Sequence, residues 1–167
     1  MSEKIVIRDL LASEIECRVL SVGKQGNGFS MLLYKDARCD MAILDETFGC
    51  LGWKREHSLN NHNCTVSVYD SEAKQWVGKE DTGTESNTEQ KKGLASDSFK
   101  RACFNWGIGR ELYTAPFVWI SNTKYINQGK VYEKFRCYHV KIENKVITEL
   151  GISDSKGVDV FQYRGVK

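Results

Sequence analysis

The chain has 167 residues, a formal net charge of +2, 41% hydrophobic and 11% aromatic residues, one proline and six cysteines. This is enough for one domain with a core, and the near-balanced charge excludes binding to a polyanion by bulk charge, so any anion site must come from local clustering. No apolar run approaches the roughly 18 residues of a membrane span, and the charged start MSEKIVIRDLLASEIE lacks the apolar stretch of an export signal; the six scattered cysteines, without Cys-x-x-Cys spacing, are expected to be reduced and mostly buried.

Leu10, Leu11 and Ile15 give one short helix signal in the first 16 residues. Two β-prone runs follow, Cys17 to Val22 and Phe29 to Tyr34, separated by Gly23-Lys24-Gln25-Gly26-Asn27-Gly28, whose turn chemistry predicts a hairpin with Lys24 near its tip. Asp36 can cap a helix over 37–48, with Ala37, Met41, Leu44 and Phe48 as its stripe. Cys64 to Tyr69 alternates, and with Trp53 to Leu59 and Lys74 to Asp81 on either side, joined by polar turns, it predicts a three-stranded antiparallel meander. A second helix is expected over 88–106. Ser86 and Glu89 have capping-box spacing, and Ala95, Phe99, Ala102, Cys103 and Trp106 form an apolar stripe. Gly107 and Gly109 should stop it, and Asp97 can pair with Arg101 at i+4. Short strands follow over 117–120, 125–127, 132–143 and 145–148, with Glu143-Asn144 as a turn, while 143–167 carries the fewest signals. The order is α+β: an antiparallel sheet carrying the longer helix on one face, in a single domain over 1–167 whose core spans about 17–142.

The residue chemistry points away from catalysis. His57, His62 and Cys64, and the pair Cys137 and His139, lack finger or ribbon spacing, so no metal is expected. Cys103 lies on an apolar helix stripe rather than in a nucleophile elbow, and Asp45-Glu46 and Glu80-Asp81 sit at element ends. No phosphate-binding glycine loop of the ATPase type occurs, so no cofactor is expected. What stands out is a cationic set on the second helix, Lys91, Lys92, Lys100 and Arg101, with Lys24, Arg38, Lys54, Arg55 and Arg110 scattered around it and Tyr34, Trp53, Tyr69, Trp76 and Trp106 interleaved. Cations for phosphates and rings for bases suit single-stranded nucleic acid.

The run Glu80-Asp81-Thr82-Gly83, then Ala95-Ser96-Asp97-Ser98-Phe99-Lys100-Arg101-Ala102 and Gly107-Ile108-Gly109-Arg110-Glu111-Leu112-Tyr113, resembles the Rad-fifty-two superfamily of single-strand annealing proteins, above all its phage branch, the Sak proteins. Tyr34-Lys35-Asp36-Ala37-Arg38 with Phe48-Gly49-Cys50-Leu51-Gly52-Trp53 is similar to that family's helix ending in F-G-x-x-G-W. The resemblance spans about 34–113. It implies a β-β-β-α core packed on a long helix, assembled into a homo-oligomeric ring or filament with single-stranded DNA in a basic groove. It implies DNA annealing without ATP in homologous recombination and DNA repair, in the cytoplasm of a bacterial host, with a phage or host single-strand-binding protein as a candidate partner. The family's K-R pair carries over to Lys100 and Arg101, its groove tyrosine to Tyr34, and its hairpin cation to Lys24; Lys91 and Lys92 are outer candidates, Arg38 is a further candidate among the scattered cations, and Arg110 is a candidate for the contact that a further family cation makes. Where the family often has a further cation one turn after the pair, this chain has Phe104 and Asn105. The alternative is a module that binds single strands without annealing them.

Overall fold

The computed structural model describes residues 5–84 and 90–165, apart from the side chains of 90–92. In chain order the strands and helices are β1 (Glu16–Val22), β2 (Phe29–Tyr34), α1 (Ala37–Phe48), β3 (Trp53–Ser58), β4 (Asn63–Asp70), β5 (Gln75–Thr82), α2 (Gln90–Asn105), β6 (Val118–Ile120), β7 (Ile126–Asn127), β8 (Lys130–Val131), β9 (Phe135–Glu143), β10 (Val146–Asp154) and β11 (Asp159–Arg164). The described chain is α+β with antiparallel strand pairing. It divides into two compact units. One holds Ala37–Gly109 with the described residues up to Arg8; the other holds Asp9–Asp36 and the chain from Arg110 onward.

In the first unit β3, β4 and β5 form the meander, in that order. Its register places Trp53 opposite Val68, Arg55 opposite Val66 and His57 opposite Cys64; β5 sets Val77, Lys79 and Asp81 on the same face. That face takes α2. Leu94, Ser98, Phe99, Ala102 and Cys103 of the helix are buried, with Val66 and Val68 of β4. Phe99 stacks on Trp53 at 6.1 Å between ring centroids, and burying a ring of that size contributes about 2–3 kcal/mol. Trp106 packs edge-on against Phe48 and donates its indole N–H to the Val66 carbonyl at 2.9 Å, while Trp53 donates to Asp45 Oδ1 at 2.7 Å. These two indoles therefore serve the core. Tyr69 and Trp76, opposite each other across β4 and β5, form an exposed pair on the other face.

In the second unit the sheet runs β11-β10-β9-β1-β2-β6. Phe29, Met31, Leu33, Val118, Ile120, Phe135, Leu150 and Ile152 fill its core, and Phe29, Tyr125 and Phe135 form a ring cluster. Asn144 and Lys145 both have positive φ, 52° and 63°, as a two-residue hairpin turn between β9 and β10 requires.

The first hairpin, α1, the meander and the second helix fall within a residue or two of their expected positions. The expected start of that helix at Thr88 and its capping box lie outside the described residues. The short helix signal before β1 becomes a single 3₁₀ turn, Ala12–Glu14, flanked by the buried Leu10 and Ile15. The strand layout differs from a single sheet carrying the helix. The first hairpin joins β9 and β6 in its own sheet, through Glu16 opposite Arg136 and Phe29 opposite Ile120, and α2 packs on the meander. The C-terminal stretch is also richer than its signals: β10 runs on to Asp154 and β11 pairs with it.

Candidate nucleic-acid interface

At 100° per residue, burying Leu94, Ser98, Phe99, Ala102 and Cys103 turns Ser96, Asp97, Lys100, Arg101 and Phe104 away from the sheet. Lys100 is half-buried, and its side chain makes no ion pair or hydrogen bond with any described residue. Arg101 Nε lies 3.0 Å from Asp97 Oδ2, the expected i+4 pair. The same oxygen accepts the Thr84 backbone N–H at 2.8 Å and its hydroxyl at 3.2 Å. Burial pushes the Asp97 carboxyl up, but the hydrogen bonds from Thr84 and Arg101 outweigh it and hold the group below the usual carboxylate range. Arg101 is thus oriented by a carboxylate anchored to the backbone, while Lys100 is an uncommitted cation beside it.

Two further cations border the helix. Lys79 donates to the Asn105 carbonyl at 2.9 Å and lies 4.4 Å over the Trp106 ring, so it caps the C-terminal end of α2, where the helix dipole is negative. The Arg55 guanidinium covers the Phe99 ring at 4.7 Å with its residue still exposed. Both lie on the sheet face that takes α2. Read singly they look like outward-pointing strand charges; the signal for them is the strand period, which puts Arg55 in phase with Trp53 and Lys79 in phase with Val77.

The stretch Glu80-Asp81-Thr82-Gly83 braces this surface. Glu80 accepts from Asn63 at 2.8 Å and Thr65 at 3.0 Å, and Asp81 accepts from Asn105 at 3.2 Å. Gly83 donates to the His62 carbonyl at 2.7 Å and lies so close to α2 that a Cβ would stand 2.7 Å from the Ser98 nitrogen and 3.0 Å from the Leu94 carbonyl. Gly83→Ala should therefore push the strand end off the helix and destabilise the protein by about 2 kcal/mol, read as a lower urea midpoint with an unchanged slope. A midpoint equal to wild type would mean that α2 yields without penalty.

The other expected site residues are distributed as follows. Arg38 is exposed on α1 in the first unit. The side chains of Lys91 and Lys92 lie outside the described residues. Tyr34, Lys24 and Arg110 belong to the second unit. Lys24 is exposed in the turn of the first hairpin, whereas Tyr34 pairs with Glu16 at its far end, so the hairpin separates them by its length. The hydrogen bond to Glu16, with burial second, pushes the Tyr34 phenol up to about 12. Arg110 is exposed at the start of a 3₁₀ turn, Arg110–Thr114. Phe104 is half-buried, and Asn105 donates its amide to the Glu80 carbonyl and Asp81.

Burial raises the Cys17 thiol to about 12 and those of Cys64 and Cys137 to about 11, which leaves them poor nucleophiles at neutral pH. Cys103 is fully buried. His57 and Cys64 are cross-strand neighbours, and the His57 ring meets the buried Ser98 hydroxyl at 3.4 Å. Among the described residues no three His, Cys, Asp or Glu side chains converge on a point that could hold a metal ion, and no helix is long and apolar enough to cross a membrane. The chain matches no protein-family model, no curated protein and no solved structure.

Proposed function

We propose that this chain binds single-stranded DNA and anneals complementary strands without ATP, as a homo-oligomeric ring or filament serving recombination and repair. The observation that carries this reading is Lys100, an uncommitted cation beside the carboxylate-oriented Arg101, on a helix braced against the meander. Phosphate contacts of this kind hold a strand without reading its sequence, so the incoming complement supplies specificity. Few cations per chain give modest affinity, and repetition around an oligomer raises it through effective concentration.

The second reading, a module that binds strands without annealing them, is favoured by one observation. Lys79 and Arg101 are tied up internally, which leaves each protomer a short cationic track. The two readings separate in one experiment: strand annealing of two complementary oligonucleotides in the absence of nucleotide triphosphate, with particle mass measured by mass photometry. The proposal expects accelerated annealing by particles that are multiples of the 19.0 kDa chain. Binding by monomers with no acceleration selects the second reading, and no binding at all overturns both.

A further inference from the structure

The second unit carries a cleft of about 1110 Å³ at the junction of β1 and β9. These strands pair only at Glu16 opposite Arg136 and Cys17 opposite Phe135. Past Cys17 β1 continues against β2, whereas β9 begins only at Phe135 and runs the other way, against β10. One residue past the last pair, where the ladder opens, stand Arg18 on one side and Lys134 on the other, and both line the cleft. Neither side chain makes a hydrogen bond or ion pair with a described residue. Like charges flanking a strand junction repel, and an anion between them relieves that repulsion.

The acids of the cleft are already occupied. Glu16 takes the Tyr34 hydroxyl, and Glu133 Oε1 accepts the Ser155 backbone N–H at 3.1 Å. Arg136 uses Nε on the Ser153 hydroxyl at 3.2 Å. Three cations against two carboxylates leave the lining at a formal +1, with the two exposed, uncommitted charges, Arg18 and Lys134, both positive. Tyr34 and Tyr138 also line the cleft, and Tyr138, whose ring lies over Gly151 of β10, is 43% exposed. The volume lies above the roughly 300–1,000 Å³ of small-ligand pockets.

We infer that this cleft binds nucleotides of a single nucleic-acid strand, with Arg18 and Lys134 on phosphates and Tyr34 and Tyr138 against bases. The inference rests on the single-strand reading above, and extends it to a contact that does not involve α2. Stacking on tyrosine tolerates any base, and the cations grip only the backbone, so the site reads no sequence.

The test measures binding of a fluorescent oligothymidylate of about 30 nucleotides to wild type, R18A/K134A and K100A/R101A, with thymidine monophosphate as a competitor. Iodouracil-substituted oligonucleotide is photo-cross-linked to the wild type and the adducts are mapped by mass spectrometry. The expected result is an R18A/K134A variant with wild-type melting temperature, about 25-fold weaker at 0.1 M salt, with a log–log salt slope flatter by about 1.4. Cross-links should fall on Tyr34 or Tyr138, and the monophosphate should not displace the strand at equimolar concentration. R18Q/K134Q replaces the alanine pair if that pair does not fold. A folded cleft variant that binds as tightly as wild type, while K100A/R101A is weakened, overturns this inference and leaves the function standing. Equimolar monophosphate displacing the strand makes the cleft a free-nucleotide site and overturns it as well. Failure of the wild type to bind the oligonucleotide overturns both.

Discussion

Replacing Lys100 and Arg101 together by alanine is expected to weaken single-stranded DNA binding about 30-fold at 0.1 M salt, equally for all base sequences. Two lost phosphate contacts flatten the log–log salt dependence by about 1.4, which at that ionic strength accounts for most of the loss. The Arg101 half of the change acts twice. It removes one cation and leaves the Asp97 carboxylate, still held by Thr84, without its neutralising partner beside the strand. Stability should hardly move, because the pair is solvent-accessible, with the Arg101 side chain 38% exposed, and exposed ion pairs contribute about 0.2–1 kcal/mol. Fluorescence anisotropy across a salt series, with the melting temperature as a fold control, gives the answer. An unchanged affinity and slope in a folded double variant would remove α2 from the interface.

What is legible in the sequence follows from how local each signal is. The first hairpin, α1 and the meander are specified by period, turn and cap within a few residues of one another, and they fall where expected. The junction of β1 and β9 joins residues more than a hundred positions apart, and no periodicity reports it. Gly151 reads as a breaker, yet it lies inside β10 because the Tyr138 ring occupies the space a side chain would need, with a Cβ 2.6 Å from Tyr138 Cζ. For the interface, Lys100 and Arg101 are visible as neighbours on a helix whose apolar stripe fixes its facing. Arg55 reads as one of several scattered cations and Lys79 is marked only by the strand period, which gains its meaning once the register shows which face bears the helix. Likewise Arg18 and Lys134 acquire meaning only when the ladder is seen to end between them.

Glu111→Ala is expected to cost about 3 kcal/mol of stability, a large share of the typical 5–15 kcal/mol of a folded protein. The carboxylate is fully buried. Its Oε1 accepts the Leu10 backbone N–H at 2.6 Å, and its Oε2 lies 3.8 Å from Lys145 Nζ, an ion contact without a hydrogen bond. Lys145 in turn reaches Asp9 at 2.9 Å. One side chain thus ties the segment entering β1, the 3₁₀ turn it belongs to and the hairpin turn between β9 and β10. Alanine leaves the buried Leu10 N–H without its acceptor and takes from Lys145 its buried counter-ion. Glu111→Gln separates the two effects: its amide oxygen still accepts from Leu10 while the charge is gone, so it should cost only about 1 kcal/mol. Urea unfolding of both variants at neutral pH measures the difference. Equal losses would assign the anchoring to the Lys145 contact despite its 3.8 Å length. Losses near zero for both would mean that Leu10 finds another acceptor, and that the three segments are held by the packing of Ile15, Ile147 and Leu150 instead.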